Sequence, residues 1–488
     1  MKRFALVIYC LLFWGLIAVG CGGGGSGSGD GNGDTDNGLR MGVLQFRTQH
    51  NLQDDTCLPD DCYLSMEDEV DTVAWLDHLA TISNMAVLHW DRAIPWLAFD
   101  EDPPQGVSRS DFYDGRIDAS LLGWINAFAA HFRRMSSGYL AVSILNGQRN
   151  GLQPYRIDES QTADVTSACP VLAPGTQVQF QYDPGGGTVT ASFDLERSYT
   201  NFVMYLYDKL QPDYLALMVE VNLFKEMPAP CPANWGGLVQ LYRQIYDAVR
   251  PEVDPQTKVF ATLTFQQLLD YDNDTCHGPM AFEACTGNPS PPAYADPAPD
   301  TCYPLDLSAI NDLDQGDRLE VLALSFYPDA LLMDVADDNL VKLYAEDWNG
   351  VDSCELRAQA PPYVDPVAAL DRFNWTKPIA IAELGARSDR TFFLQGGYLV
   401  APPADLTSQS FWLNHFLAAA SDRHFEFYVQ SFSNDYEAIG LWTVQIGLLD
   451  ANLFSLFNSF AYMGIYDAQG SPKAGVAEIW TRFLQGSN

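Results

Sequence analysis

The chain has 488 residues, with 63 Asp and Glu against 27 Lys and Arg, for a formal charge of −36. That excess of negative charge argues against nucleic acid and against anionic membrane surfaces as partners, because both repel it. The acidity is spread along the chain rather than gathered into a block, which excludes a disordered acidic tail.

Met1-Lys2-Arg3 followed by the apolar run Phe4–Val19 reads as a secretory signal, with a basic start and a core too short for a comfortable membrane span. Ala18-Val19-Gly20-Cys21 resembles a bacterial lipobox, with Ala rather than Leu at its first position. The resemblance implies that Cys21 becomes the lipidated N-terminus; an ordinary signal peptide cleaved nearby is the other reading. Gly22 after the Cys resembles lipoproteins sent to the outer membrane. Gly, Ser, Asp and Asn dominate residues 22–38, which have nothing to bury and read as a flexible tether. The expected organisation is a signal peptide over 1–20, Cys21 and tether over 21–39, and one folded domain over 40–488. Loss of Lys2 and Arg3 with the signal takes the charge to −38. Exported and held at the cell surface by lipid alone, the domain is expected to be a monomer.

Setting aside Cys10 and Cys21 leaves Cys57, Cys62, Cys169, Cys231, Cys276, Cys285, Cys302 and Cys354. An even set in an exported chain reads as disulfides, with Cys57–Cys62 and Cys276–Cys285 as candidate local pairs. No Cys-x-x-Cys or paired His supports zinc, and neither metal nor cofactor is expected.

Apolar runs and helical periodicities then alternate. Strands are predicted at Arg40–Phe46, Asn84–Trp90, Tyr139–Leu145, the run from Tyr214 to Glu220, Lys258–Thr264, Arg318–Ser325, the run ending at Glu383, and Phe425–Gln430. Helices are predicted at Met66–Thr81, Ile117–Met135 with Asp118 as N-cap, Leu195–Leu210, Trp235–Val249, Leu305–Leu313, Asp365–Phe373, Ser408–Ala420 and Ala474–Leu484. Leu152–Thr190, rich in Gly, Pro, Thr and Gln, reads as a long loop with room for a small hairpin, and Asp270–Asp306 as a disulfide-stapled insert. Eight strands alternating with helices is the α/β pattern of a (β/α)8 TIM barrel with long βα loops.

Lys377-Pro-Ile-Ala-Ile-Ala-Glu383-Leu-Gly-Ala386 and Tyr214-Leu-Ala-Leu-Met-Val-Glu220-Val-Asn222 each deliver a carboxylate to the end of an apolar run. A half-buried carboxylate is costly unless paired, so two in matching places point to chemistry. In a barrel the strand ends share one mouth, and two carboxylates there suit glycosidic bond cleavage. Other strand-end groups are Gln45, Asp91, Arg92, Trp96, Asn146, Gln266, Tyr327, Gln430 and Asn434. Arg92 is open to a structural or a ligand role. Trp96 and Trp442 suit core packing as well as a sugar platform. His89 reads as a satisfied, half-buried residue.

Glu220 on strand four and Glu383 on strand seven resemble the clan A, or 4/7, superfamily of glycoside hydrolases. Ser325-Phe-Tyr327-Pro328 is similar to the Ser-x-Tyr-Pro of its endo-β-1,4-galactanase branch. Tyr462-Met-Gly-Ile-Tyr-Asp-Ala-Gln-Gly-Ser-Pro472-Lys473 resembles a closing turn common in these enzymes. The resemblance implies a retaining hydrolase of a β-linked polysaccharide or oligosaccharide. Glu383 would be the nucleophile and Glu220 the acid/base, with Tyr327 orienting Glu383 and Arg92 pairing with it. Trp96, Asn146, Asn222, Gln430 and Trp442 would face substrate. It departs at Val219, where these enzymes carry an Asn that reaches the sugar's 2-hydroxyl. Asn146 or Asn222 is the expected substitute; failing that, the chain is a barrel lipoprotein that binds glycan without cleaving it. A structural lipoprotein with no sugar site is a third reading.

Overall fold

Short, nearly all-apolar segments form parallel strands buried on both sides, as continuous hydrophobic runs should. The computed structural model describes residues 38–45, 69–147, 149, 151–158, 161–165, 172–226, 234–268, 306–327, 367, 370, 375–389, 393–395, 398–400, 405–435, 462–467 and 470–486. These residues belong to a unit spanning Gly38–Asn488. Cys21, Trp442 and all eight cysteines read as disulfide partners lie outside the described residues.

In chain order the strands are β1 (Met41–Val43), β2 (Ala86–Trp90), β3 (Gly138–Val142), β4 (Tyr155–Arg156), β5 (Thr162–Ala163), β6 (Gln177–Tyr182), β7 (Val189–Asp194), β8 (Tyr214–Ala216), β9 (Lys258–Phe260), β10 (Thr262–Thr264), β11 (Leu322–Phe326), β12 (Ile379–Leu384), β13 (Phe393–Gln395), β14 (Tyr398–Val400) and β15 (Tyr428–Gln430). Two parallel sheets carry the core, ordered β1-β15-β12-β11-β10 and β2-β3-β8-β9. The small pairs β4–β5, β6–β7 and β13–β14 are antiparallel. The fold is therefore mixed α/β with parallel sheets. β6–β7 is the hairpin anticipated in the long loop, although its second strand runs on to Asp194.

The two sheets are joined at both edges. Residues 258–264 are one run of chain broken only at Ala261. β9 pairs with β8 in one sheet and β10 with β11 in the other. At the opposite edge the backbone N–H groups of Asn84 and Met85 donate to the Met41 carbonyl at 3.0 and 3.2 Å. The Gln45 side chain donates to the His89 carbonyl (2.6 Å) and accepts from the His89 N–H (3.0 Å). Aromatic rings fill the space between the sheets at the strands' N-terminal ends. The Phe427 ring, just before β15, lies 4.8 Å from both Tyr139 on β3 and Tyr214 on β8, and Tyr139 stacks on Phe260 at 6.1 Å.

Helices follow the strands much as the periodicity predicts: Glu69–Ile82, Ala119–Phe132, Leu195–Leu210, Trp235–Val249, Ser308–Asp314, Leu406–Asp422 and Val476–Leu484. Asp118 is an N-cap, accepting from the Leu121 N–H. Asp194, Asn234 and Asp405 cap others in the same way, each satisfying an N–H that the helix leaves open. Of the helix predicted over 365–373, only Val367 and Leu370 fall among the described residues.

The closing turn from Tyr462 to Lys473 is held by a buried ion pair beyond β15. Lys473 Nζ donates to Asp435 Oδ1 at 2.7 Å and to the carbonyls of Gly464 and Tyr462. Asp435 Oδ1 also accepts from the Gly464 N–H. Gly464 can only be glycine, because a Cβ would meet the backbone of Asp435 and Tyr466 within 2.6 Å. Removing one partner of a buried pair strands the other charge. Lys473→Met is therefore expected to lose about 3–5 kcal/mol in chemical denaturation. Adding Asp435→Leu should recover much of that loss.

Candidate active site

Glu383 lies next to the end of β12, at an irregularity in the sheet. Leu324 pairs with Ile381 but Ser325 pairs with Glu383, so β12 carries one extra residue there. The same extra residue shows against β15. Such a bulge re-aims the side chain that follows it. The Glu383 side chain is only 7% exposed, and both of its oxygens are met. Oε2 accepts a hydrogen bond from the Tyr327 hydroxyl, just past the end of β11. Tyr327 in turn accepts from Ser431 Oγ at 3.0 Å. Oε1 lies 2.9 Å from His89 Nδ1, on β2. Burial and then the Glu383 and Glu220 charges push the Tyr327 hydroxyl well above its ordinary pKa, so it stays a donor. Burial, the largest single influence, lowers the His89 pKa, but the Glu383 and Asp91 carboxylates together raise it above its ordinary value.

Glu220 is positioned differently. The regular strand stops at Ala216, and the chain bends through residues 217–220. Glu220 itself has φ +47°, in the left-handed region, a conformation that costs a non-Gly residue roughly 1–3 kcal/mol. Its N–H is caught by Thr262 Oγ1 at 2.8 Å. Its carboxylate accepts from Arg149 Nη2 at 3.2 Å, while Arg149 Nη1 donates to Asp91 at 2.7 Å. Arg149 is also left-handed, at φ +55°, and its side chain is 4% exposed. Glu220 keeps 13% of its side chain exposed. Its pKa is pushed up to about 7, by burial first and then by the Glu383 charge, which together outweigh Arg149 and His89. The two carboxylates therefore sense one another across the site.

Several predicted site residues are engaged elsewhere. Trp96 is fully buried, donating to the Gln153 carbonyl and stacked on Phe193, so it is core and not a sugar platform. Asn222 is buried and spends its amide on the backbone of Thr264, donating at 2.9 Å and accepting at 2.7 Å. It cannot stand in for the missing Asn, and Val219 is buried as well. Among the described residues no ion pair joins Arg92 to Glu383; the Arg92 guanidinium lies 4.7 Å from the Trp124 ring centre and 5.8 Å from Trp90. Gln430 is buried and donates to the Met463 carbonyl, which braces the strand end. Gln45 ties β1 to β2. Asn146 is half-buried at the start of the Arg149 loop, where its carbonyl accepts from both the Arg149 N–H and Nη1.

The residues that replace them are His89, Arg149 and Ser431, with Asp91, already noted at a strand end, behind Arg149. His89 is buried against Glu383 rather than half-buried and idle. His89 and Ser431 sit at strand ends and Arg149 in the loop after β3, which was the available signal. Nothing in their spacing said which carboxylate each would meet. Among the described residues no group of three His, Cys, Asp or Glu could hold a metal ion.

No protein-family model matches this chain, and no curated protein matches its sequence. Among solved structures it is similar to the exo-β-1,4-mannosidase Op5Man5 from Opitutaceae bacterium strain TAV5, at 13% identity and TM-score 0.47, over 92% of this chain and 59% of that one. It is also similar to a GH5_18 protein from Bifidobacterium longum subsp. longum in complex with Manβ1-4GlcNAc, at 10% identity and TM-score 0.43, over 92% and 78%. A third is the GH53 catalytic domain of Ignisphaera aggregans, at 14% identity and TM-score 0.38, over 84% and 88%. The chain thus spans less than two thirds of the length of the mannosidase.

Two outcomes follow from the geometry. A Cβ on Gly385 would lie 2.6 Å from Met463 Sδ and 3.1 Å from the Tyr327 ring, so Gly385→Ala should displace Tyr327 and cost about 1–3 kcal/mol in a denaturant titration. Because the folded state raises the Glu220 pKa, it holds a proton that the unfolded chain has lost between about pH 4.5 and 7. Stability therefore falls as pH rises through that window. Glu220→Gln should abolish a drop on the order of 2–3 kcal/mol, seen by comparing unfolding at pH 5 and pH 8.

Proposed function

We propose that this chain is a glycoside hydrolase that cleaves a β-linked polysaccharide or oligosaccharide with retention, using Glu383 as nucleophile and Glu220 as acid/base. The observation that carries the reading is the contrast between two neighbouring carboxylates at strand ends. Glu220 keeps its proton near neutrality, whereas Glu383 faces a hydroxyl and an imidazole. A carboxyl group that keeps its proton near neutrality is suited to acid work, which leaves its neighbour for nucleophilic attack.

In the first step a Glu383 oxygen attacks the anomeric carbon, the bond to the leaving oxygen breaks, and the Glu220 proton passes to that oxygen. In the second, water gives its proton to Glu220 and its oxygen displaces Glu383 from the sugar. Tyr327 and His89 hold the nucleophile throughout, and Arg149 holds Glu220.

The same proposal takes the two sheets as one (β/α)8 barrel. The strand shared over 258–264, the Met41 and Gln45 bonds to the start and end of β2, and the aromatic layer around Phe427 support closure. Residues 1–20 would be the lipoprotein signal, 21–39 the lipidated Cys21 and tether, and 40–488 the catalytic domain. The domain would be a monomer, disulfide-stapled and lipid-anchored at the outer membrane or cell surface, and the signal and Gly-rich sequence support that address.

A second reading, glycan binding without cleavage, is favoured by one observation. Val219 cannot make the 2-hydroxyl bond, and Asn222 is spent on Thr264. The two are separated by reducing-sugar release from galactan, mannan, xylan and glucan, using the form beginning at Arg40. Release is expected from one glycan, with Glu220→Gln lowering it on the order of 10²–10⁴-fold and Glu383→Gln abolishing it. Its kcat/KM should fall as pH rises through about 7, where Glu220 loses its proton. Binding to one glycan without release from any would replace the hydrolase with the binding protein.

A further inference from the structure

His89 belongs to no motif singled out in the sequence, yet its Nδ1 lies 2.9 Å from Glu383 Oε1. Its backbone is fixed twice over. The parallel ladder pairs it with Ala141 on β3, and the Gln45 amide bonds both its N–H and its carbonyl from the β1 side. The ring therefore has little freedom to leave Glu383, and its side chain is only 3% exposed.

Several segments around it contribute charges. Glu383 approaches from β12 at 2.9 Å, Asp91 from the end of its own strand, Arg149 from the segment after β3, and Glu220 from the segment after β8. With Glu220 protonated, the Glu383 and Asp91 carboxylates against one guanidinium still leave a local deficit of positive charge that a protonated imidazole fills.

Resting on the hydrolase reading above, we propose that His89 is the positioning residue for Glu383, a protonated ring that fixes Oε1 while the Tyr327 hydroxyl fixes Oε2. The two holders differ in kind. Tyr327 is a neutral donor that does not titrate in the working range, whereas His89 carries a charge that can be removed. Losing that proton takes away the cation facing the nucleophile, so two groups shape the alkaline side of the pH profile: Glu220 as proton donor and His89 as holder. The charge should act on kcat more than on KM, because the carboxylate it steadies reacts with the anomeric carbon rather than binding the glycan's remote parts.

The first test needs no substrate. The seven histidines of the form beginning at Arg40 are followed by ¹⁵N NMR against pH, with the His89 signal assigned as the one missing from His89→Gln or His89→Asn. In the parent it should titrate above the ordinary histidine value of about 6.5. In Glu383→Gln its midpoint should drop by a unit or more. An equal midpoint in both overturns the proposal, whether or not the chain proves to be a hydrolase. On a cleaved glycan, the alkaline limb of log kcat/KM should approach a slope of −2 in the parent and −1 in His89→Gln, with kcat lowered at least tenfold and KM little changed. A limb of unchanged shape in His89→Gln would reduce the residue to a packing role.

Discussion

A carboxylate buried beneath parallel strands must have a donor at each oxygen, because desolvation costs several kcal/mol that only hydrogen bonds and opposite charge offset. Glu383 imposes that demand, and much of the surrounding structure answers it. Tyr327 and His89 meet the two oxygens. Ser431 holds Tyr327, and Gln45 holds the backbone of His89. Gly385 leaves room for the Tyr327 ring, with Met463 on its other side. Met463 belongs to the turn that the Asp435–Lys473 pair clamps in place. A chain of contacts therefore runs from one carboxylate on β12 to a salt bridge beyond β15.

Glu220 follows a different logic. It has one guanidinium rather than two donors, a strained backbone, and an edge still open to solvent. Arg149 shares the strain, since both partners of this contact are left-handed. Strain of this kind persists only where neighbours over-determine it, and the Thr262 and Asn146 bonds do so here. The result is a carboxyl group that keeps its proton to about pH 7 beside one whose oxygens face the Tyr327 hydroxyl and the His89 imidazole. In the proposed reaction that asymmetry separates proton donor from nucleophile.

Much of the framework was legible in the sequence. Leu195–Leu210 and Trp235–Val249 match their predicted helices at both ends, and Asp118 caps its helix as its position suggested. These are local properties, decided by the spacing of apolar residues and by the nearest polar group able to take an N–H. The strands were legible as buried runs, but shorter than their apolar stretches. The regular ladder ends before hydrophobicity does, most clearly after Ala216, where Leu217, Met218 and Val219 stay buried and the Leu217 N–H and Met218 carbonyl still bond to Phe260 and Thr262 across an irregular bend.

By itself the sequence determined an alternation of parallel strands with helices and placed Glu220, Glu383 and Tyr327 at strand ends. Burial and periodicity are properties of a segment and its neighbours, so they survive in a linear reading. Only the tertiary structure decided what those groups do to one another. Where a strand-end side chain points depends on an extra residue in β12 and on positive φ at Arg149 and Glu220, and a one-residue shift reverses a strand's faces. Those geometries are set by pairing across β2, β3, β8, β11 and β12. For that reason Trp96 and Asn222, equally plausible in the sequence, turn into the core and a backbone bond, while His89 and Arg149 come to face the two carboxylates.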